Sequence, residues 1–134
     1  MLVLGQKAKT PADGKKLAAD LLGTGAAKKK FLEMCQHQGG ALSRGLPKAA
    51  HSRDILAEQD GFLQFTDVEK VGTACIFLGA GRRYQSDQLD LAAGVEVLWA
   101  NGAQVKKGDP IFKLHYNSGC PLDDAIREIK NSVT

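Results

Sequence analysis

The amino-acid sequence predicts an α+β fold, in which a helical leader precedes a small β-rich body with an inserted helix and a C-terminal helix. The leader consists of two amphipathic segments, each of which ends at a glycine-rich break. From about Ile55, short apolar runs alternate with glycine turns, which is typical of strands. With 134 residues, of which 43% are hydrophobic and 25% charged, the chain suits a compact globular protein.

The helical leader contains two predicted helices. The first begins at Pro11, because the fixed φ of proline suits the first helical position, and the second ends at Gly39. The run Lys28–Lys30 is predicted to be a solvated helix face. Residues 41–53 have no sustained period and are predicted to form a connector. The apolar stripes consist of Leu17, Leu21 and Leu22 in the first helix and of Ala27, Phe31 and Met34 in the second.

The β-rich body is predicted to begin with a short strand at residues 61–65 and to continue into a helix. Thr66 and Asp67 both suit the N-cap of this helix, and Gly79 suits the left-handed position at its end. Residues 94–100 then alternate as in a strand with one buried face. Trp99 belongs to this alternation, so we expect it to be half or fully buried.

The last third of the chain contains two turn signals and a final helix. Asn101-Gly102 is typical of a tight turn, and residues 107–110 form a second turn before a strand at residues 111–116. Pro121 is predicted to open the final helix. The apolar face of this helix carries Leu122, Ile126, Ile129 and Val133.

Composition excludes several classes of protein. A formal net charge of +3 is too small to favour nucleic-acid binding, and no apolar stretch approaches the length of a membrane span. The three cysteines, Cys35, Cys75 and Cys120, are odd in number and far apart, which favours reduced thiols and a cytoplasmic location. We therefore expect no metal site, no cofactor, no membrane and no nucleic-acid partner.

The stretch LGAGRR, residues 78–83, is the one motif that could hold an anion. A helix binds anions at its N-terminus, where the macrodipole is positive, but the apolar period places this helix before the glycines. The motif is therefore predicted to be a helix end followed by an exposed loop at residues 80–88. Arg82 and Arg83 suit the negative end of the helix dipole without a ligand.

Catalytic side chains are sparse in the sequence. A nucleophile needs a neighbouring base, yet no compact group of serine, histidine and carboxylate occurs. His37, His51 and His115 are isolated from one another and are predicted to be surface or structural residues. We expect no catalytic residue in this chain.

The hairpin GAQVKKGDPIFKLH resembles the half-repeat of biotinyl and lipoyl carrier domains, and DGFLQF resembles the opposite half. This resemblance implies a barrel-sandwich (hammerhead-like) shape for the β-rich body. Carrier domains present one lysine at a hairpin tip within a short Glu-Ala-Met-Lys or Asp-Lys-Ala type of motif. The chain has no such motif, because Lys106 and Lys107 lie in a turn and Lys113 lies in a strand. We therefore expect no biotin or lipoyl group.

A second resemblance covers most of the chain. MLVLGQKA, TGAAKKKFLEMCQHQGG, LPKA, DGFL, LGAGRR, GVEV and GAQVKKGDPIFKLH match, in order, the C-terminal portion of thymidine phosphorylase and the pyrimidine-nucleoside phosphorylases. The similarity runs from Met1 to about His115, with a looser match in the last helix. It implies that residues 1–53 are a helical segment and connector from the phosphorylase α/β lobe, and that residues 54–134 are the C-terminal β-rich domain.

The phosphorylase resemblance also implies a function. The family reaction converts thymidine and phosphate to thymine and 2-deoxyribose 1-phosphate. In this family, the residues that bind phosphate and the pyrimidine base come from earlier segments of the chain. The missing N-terminal part is therefore the expected partner, and this chain alone is expected to be inactive. Gly79, Gly81, Arg82 and Arg83 are implied to lie in a loop near the mouth of the cleft in the full-length enzyme.

Two other functions fit the same residues. The chain could be a stand-alone structural or interaction module that kept the fold without the enzyme. It could also belong to a relative of AMP phosphorylase that shares this C-terminal domain and acts on another substrate. An upstream phosphorylase reading frame would distinguish the enzyme fragment from the module.

Overall fold

The computed structural model describes all residues, 1–134, and confirms the α+β fold class. The chain forms two compact units, which are Met1–Leu46 (unit 1) and Pro47–Thr134 (unit 2). The first strand of unit 2 spans His51–Leu56, so the predicted division after residue 53 falls inside this strand. None of the helices is both long enough and apolar enough to span a bilayer.

Unit 1 is a pair of helices, α1 (Pro11–Gly23) and α2 (Ala26–His37), followed by a 3-10 turn at Leu42–Arg44. The start of α1 at Pro11 is as predicted. Its N-cap is Thr10, whose hydroxyl oxygen accepts a hydrogen bond from the Asp13 N–H at 3.2 Å. The Asp13 carboxylate in turn accepts from the Thr10 N–H at 3.2 Å, which completes a capping box.

Unit 2 contains five strands in two antiparallel sheets. The larger sheet has the order β1-β5-β3, and β2 pairs with β4 in the smaller one. The strands are β1 (His51–Leu56), β2 (Gly61–Phe62), β3 (Gly94–Val97), β4 (Gln104–Val105) and β5 (Pro110–Tyr116). Both sheets are open, and β2 and β4 have only two residues each, so no closed barrel forms. The predicted barrel-sandwich (hammerhead-like) shape is not confirmed.

Two helices complete unit 2, namely α3 (Val68–Leu78) and α4 (Leu122–Lys130), and they pack against each other. Of the two predicted N-cap candidates, Asp67 caps α3, since its side chain accepts from the Glu69 N–H at 3.1 Å. The buried apolar residues of the core are Ile55, Ala57, Leu63, Ala74, Leu78, Val105, Ile111, Phe112, Leu114, Ala125 and Ile129. This core therefore joins α3 and α4 to both sheets.

The strand predicted around Trp99 is shorter than expected, and the Trp99 side chain is partly rather than fully buried. The strand that was expected at residues 94–100 ends at Val97, and the Trp99 side chain is 39% exposed. Its indole N–H donates a hydrogen bond to the Pro110 carbonyl at 2.9 Å. The indole therefore lies at the surface beside the start of β5, where its polar edge has a partner and its ring keeps contact with water.

Candidate functional site

The LGAGRR motif begins where α3 ends. Gly79 has a φ of 102°, a left-handed conformation that favours glycine. Its N–H donates to the Ile76 carbonyl at 3.0 Å, and the Ala80 N–H donates to the Cys75 carbonyl at 2.9 Å. These two bonds form a Schellman motif. The predicted helix end is confirmed, and both N–H groups are already bonded to the helix.

The second glycine of the motif lies against the same helix. A Cβ atom at Gly81 would lie 2.7 Å from Cγ1 and 3.5 Å from Cα of Ile76. Any larger residue at this position would have to push the Ile76 side chain aside. Close packing against α3 therefore accounts for Gly81 without a ligand.

The loop beyond Gly81 supplies its own anion. The N–H groups of Arg83 and Tyr84 donate to the same carboxylate oxygen of Asp87, at 2.9 Å and 3.0 Å. The hydrogen bonds from Tyr84 and Arg83, together with the positive charges of Arg83 and Arg82, hold the pKa of Asp87 below its usual value. Asp87 is therefore ionised at neutral pH and takes the place that a phosphate would need at these two donors.

The two arginines of the motif are both exposed, as predicted for a surface loop. The Arg83 guanidinium carbon lies 5.2 Å from the centroid of the Phe77 ring, within the range of a cation–π contact. This contact holds the Arg83 side chain beside the last turn of α3. Arg82 and Arg83 are thus close to the negative end of the helix dipole, where positive charge is favourable.

A series of three hydrogen bonds, which the sequence did not reveal, connects the two ends of this loop to neighbouring segments. The Asp90 N–H donates to the Gly79 carbonyl at 2.9 Å, and the Asp90 carboxylate accepts from the Asn117 side-chain amide at 2.7 Å. The Asn117 side-chain oxygen accepts from the Ala50 N–H at 2.8 Å. The end of α3 is therefore tied to the residues that precede β1 and follow β5. Hydrogen bonds from the Ala92 N–H and from Asn117 lower the pKa of Asp90.

The histidines and the possible metal-binding side chains do not assemble into one site. His115 lies beside Glu96, with 3.3 Å between Nε2 and Oε2, whereas the His51 ring lies 5.5 Å from that of Tyr116. His37 belongs to the last turn of α2 in unit 1. No group of three or more histidine, cysteine, aspartate or glutamate side chains could hold a metal ion.

Burial weakens two of the three cysteine thiols as nucleophiles. Cys35, Cys75 and Cys120 are all free and partly buried. Burial raises the pKa of the Cys75 thiol and also that of the Cys120 thiol. Because the thiolate is the reactive form, the raised pKa disfavours the reactive state of both groups.

We predict that the LGAGRR loop does not bind phosphate specifically. Titration of the chain with inorganic phosphate, followed by amide chemical shifts, should give no saturable shifts at submillimolar concentration for residues 79–83, because Ile76, Cys75 and Asp87 already accept from the loop. Saturable shifts confined to these residues would contradict this prediction. Asp87→Ala should perturb the Arg83 and Tyr84 amides. The control Asp109→Ala, which removes a similar acceptor of the Lys106 N–H, should leave both unchanged.

Comparison with known proteins gives a consistent result over the whole chain. The model of the pyrimidine nucleoside phosphorylase C-terminal domain matches residues 62–134. A pyrimidine-nucleoside phosphorylase of Staphylococcus epidermidis is 31% identical over 100% of this chain. That of Bacillus subtilis is 30% identical over 99% of the chain, and that of Staphylococcus aureus is 30% identical over 100%.

The matched region is only one part of these relatives. In each of the three phosphorylases the alignment covers 32% of the relative's own length. The chain therefore spans about a third of the length of the curated relatives that it matches.

Proposed function

Because the chain belongs to the family of pyrimidine nucleoside phosphorylase C-terminal domains, we propose that it serves as the C-terminal portion of a thymidine (pyrimidine-nucleoside) phosphorylase. In this proposal the complete enzyme converts thymidine and phosphate to thymine and 2-deoxyribose 1-phosphate. The role of this chain is structural, and the catalytic residues belong to the other two thirds of the enzyme.

The alignment across the whole chain is the observation that carries this proposal. The phosphorylases of Staphylococcus epidermidis and Bacillus subtilis match both units, while the family model matches most of unit 2. The helical unit and the β-rich unit are therefore similar to consecutive parts of one enzyme. These named relatives favour a pyrimidine-nucleoside phosphorylase over a relative of AMP phosphorylase.

The chemistry of the side chains supports a structural role. Phosphorolysis depends on groups that position phosphate and nucleoside and that stabilise the charge of the transition state. The N–H groups of Gly79 and Ala80 are bonded to α3, those of Arg83 and Tyr84 are bonded to Asp87, and burial raises the pKa of the Cys75 and Cys120 thiols. No group of this chain is thus prepared to perform the reaction by itself.

In the proposed enzyme, the LGAGRR loop has a role only when the rest of the enzyme is present. Gly79 and Gly81 fix the backbone at the end of α3, Arg82 is exposed to solvent, and the exposed Arg83 guanidinium lies over the Phe77 ring. We place this loop near the mouth of the substrate cleft, where its two arginines would assist closure around anionic ligands. The N–H groups of Gly79, Ala80 and Arg83 already have acceptors, which supports long-range attraction of anions by the arginines rather than coordination of phosphate by these three N–H groups.

The proposed partner is the N-terminal part of the phosphorylase, and the proposed location is the cytoplasm. Three free cysteines support a reducing compartment. Unit 1 supports a missing partner, since its only buried residue is Gly14 and its apolar side chains have little to pack against. The barrel-sandwich shape of unit 2 belongs to the same proposal.

A direct assay tests whether the chain contains an active site. We predict that the isolated chain, incubated with thymidine and phosphate, releases no thymine above a blank without protein. The intact phosphorylase of a relative serves as the positive control in the same buffer. A rate that increases in proportion to the concentration of the chain, and that persists after a second purification, would contradict the proposed structural role.

A further inference from the structure

The turn before β4 contains the only asparagine of the chain that precedes a glycine. The asparagines are Asn101, Asn117 and Asn131, and the last two precede serine. The main-chain nitrogen after an asparagine can attack the side-chain amide carbon, and glycine hinders this attack least because it has no Cβ atom. Asn101 and Gly102 are both exposed to water. The Asn101-Gly102 pair is therefore the most reactive of the three toward loss of ammonia.

The fold holds both reacting groups of the Asn101-Gly102 pair in hydrogen bonds. The Gly102 N–H, which carries the attacking nitrogen, donates to the Leu63 carbonyl at 2.7 Å. The Asn101 side-chain oxygen Oδ1, which is bonded to the carbon under attack, accepts from the Phe65 N–H at 2.8 Å. While both bonds are closed, the nitrogen keeps its proton and the side-chain amide cannot rotate freely toward it. The native turn therefore protects the pair from its own chemistry.

The hydrogen bonds that protect the pair depend on the contact between β2 and β4. These strands are paired at only two positions. At the opposite end of the two strands, the Asp60 carboxylate accepts from the Lys107 N–H at 2.7 Å. A two-residue sheet that is closed at each end by one side-chain hydrogen bond is a small unit, and such units open locally at a lower free energy than the core. Local separation of β2 from β4 therefore releases Asn101 and Gly102 together.

We propose that Asn101 is a site of spontaneous deamidation, protected in the closed fold and converted when β2 and β4 separate locally. In the open state the Gly102 nitrogen loses its proton to hydroxide and forms a bond to Asn101 Cγ. The side-chain nitrogen leaves as ammonia after it takes a proton from water. Water then adds to one of the two carbonyl carbons of the resulting five-membered succinimide ring. No oxidant, cofactor or partner is needed, so this modification is independent of the proposed function.

The two products affect the fold differently. Addition of water at Cγ gives aspartate, whose carboxylate can accept from the Phe65 N–H as the Asn101 Oδ1 does. Addition at the main-chain carbonyl carbon gives isoaspartate, in which the chain runs through Cγ and is one methylene longer. The Gly102 N–H is then displaced from the Leu63 carbonyl. Isoaspartate therefore keeps β2 and β4 apart at this end and loosens Leu63, a buried core residue, from its contacts.

Incubation of the full chain in weakly alkaline buffer, with and without guanidinium chloride at a concentration that unfolds it, tests the proposal. Peptide mapping by mass spectrometry detects the replacement of an amide NH₂ by OH and locates it, and chromatography separates the aspartyl from the isoaspartyl peptide. We expect the change in the peptide that contains Asn101, at least about tenfold slower in the folded chain than in the unfolded one. In guanidinium chloride, Asn117 and Asn131 should change more slowly than Asn101, because serine follows each of them.

A pair of aspartate variants tests whether separation of β2 and β4 is the route. Asp60→Ala removes the acceptor of the Lys107 N–H, so conversion of Asn101 in the folded chain and hydrogen exchange of the Gly102 amide should both become about twofold faster or more. Asp54→Ala makes the same charge change in β1 and should leave both rates unchanged. In both variants the Leu114 amide of the central strand should exchange as in the native chain, which distinguishes local from global opening.

Three results would overturn the proposal. Equal rates in the folded and the unfolded chain would show that the hydrogen bonds of the native turn give no protection. A faster change at Asn117 or Asn131, or no change at Asn101 in guanidinium chloride, would overturn the assignment of the site. A conversion rate in Asp60→Ala no faster than in Asp54→Ala would overturn the separation of β2 and β4 as the route.

Discussion

Phe112→Ala should lower the free energy of unfolding of the chain by about 3–5 kcal/mol, the range for removal of a buried aromatic side chain. Phe112 lies in β5, the central strand of the larger sheet, and is fully buried. Its ring meets that of Phe65 edge to face, with 5.8 Å between centroids. Truncation to alanine removes this contact and leaves a cavity between β5 and its neighbours. Chemical denaturation monitored by circular dichroism measures the loss.

Trp99→Ala is the control for Phe112→Ala. It removes a larger side chain, but one that is 39% exposed and has one hydrogen bond to Pro110. Its effect should therefore be clearly smaller, with about 0.5–1.5 kcal/mol from the hydrogen bond and a further contribution from the partly buried ring. A loss for Trp99→Ala that equals or exceeds the loss for Phe112→Ala would contradict the burial that the structure assigns to these two residues.

The helix ends could be predicted because their causes are local. Thr10, Pro11 and Asp13 fix the start of α1 within one turn of chain. Gly79 ends α3 through hydrogen bonds to carbonyls three and five residues earlier. Contacts of this length are visible in the order of residues, which is why caps and glycine stops give dependable predictions.

The sheet and its edges could not be predicted in the same way. Pairing of β2 with β4 joins residues more than forty positions apart, and each of these strands is only two residues long. Strands of two residues are too short to show an alternation of apolar and polar side chains. The end of β3 was wrongly predicted for a related reason, since the alternation of apolar and polar residues continues past Val97 although the strand does not.

The LGAGRR loop has some features that the sequence predicted and others that it did not. Its helix end followed from Gly79 and from the direction of the helix dipole, so the sequence could argue against a phosphate cradle. Asp87 is close in sequence and could have been recognised as an acceptor for the turn. The bond between Asp90 and Asn117 spans 27 residues and had no signal in the sequence. Family membership was predictable because several short motifs occur in the order of the phosphorylases.

A chimaeric enzyme tests whether this chain is structurally equivalent to the C-terminal third of a pyrimidine-nucleoside phosphorylase. The chain replaces the matched third of the Staphylococcus epidermidis enzyme, with which it is 31% identical. The intact enzyme and the same enzyme without its matched third serve as controls. Removal of that third should abolish phosphorolysis, because catalysis requires groups that are held in place by the whole fold.

The decisive measurement is the kcat/KM of the chimaera for thymidine in the presence of phosphate, from the rate of thymine release. We expect a value within about a hundredfold of the intact enzyme, since small displacements of catalytic groups cost up to that factor. A chimaera that is folded by circular dichroism and elutes as the intact enzyme does, but releases no more thymine than the truncated enzyme, would contradict the structural equivalence.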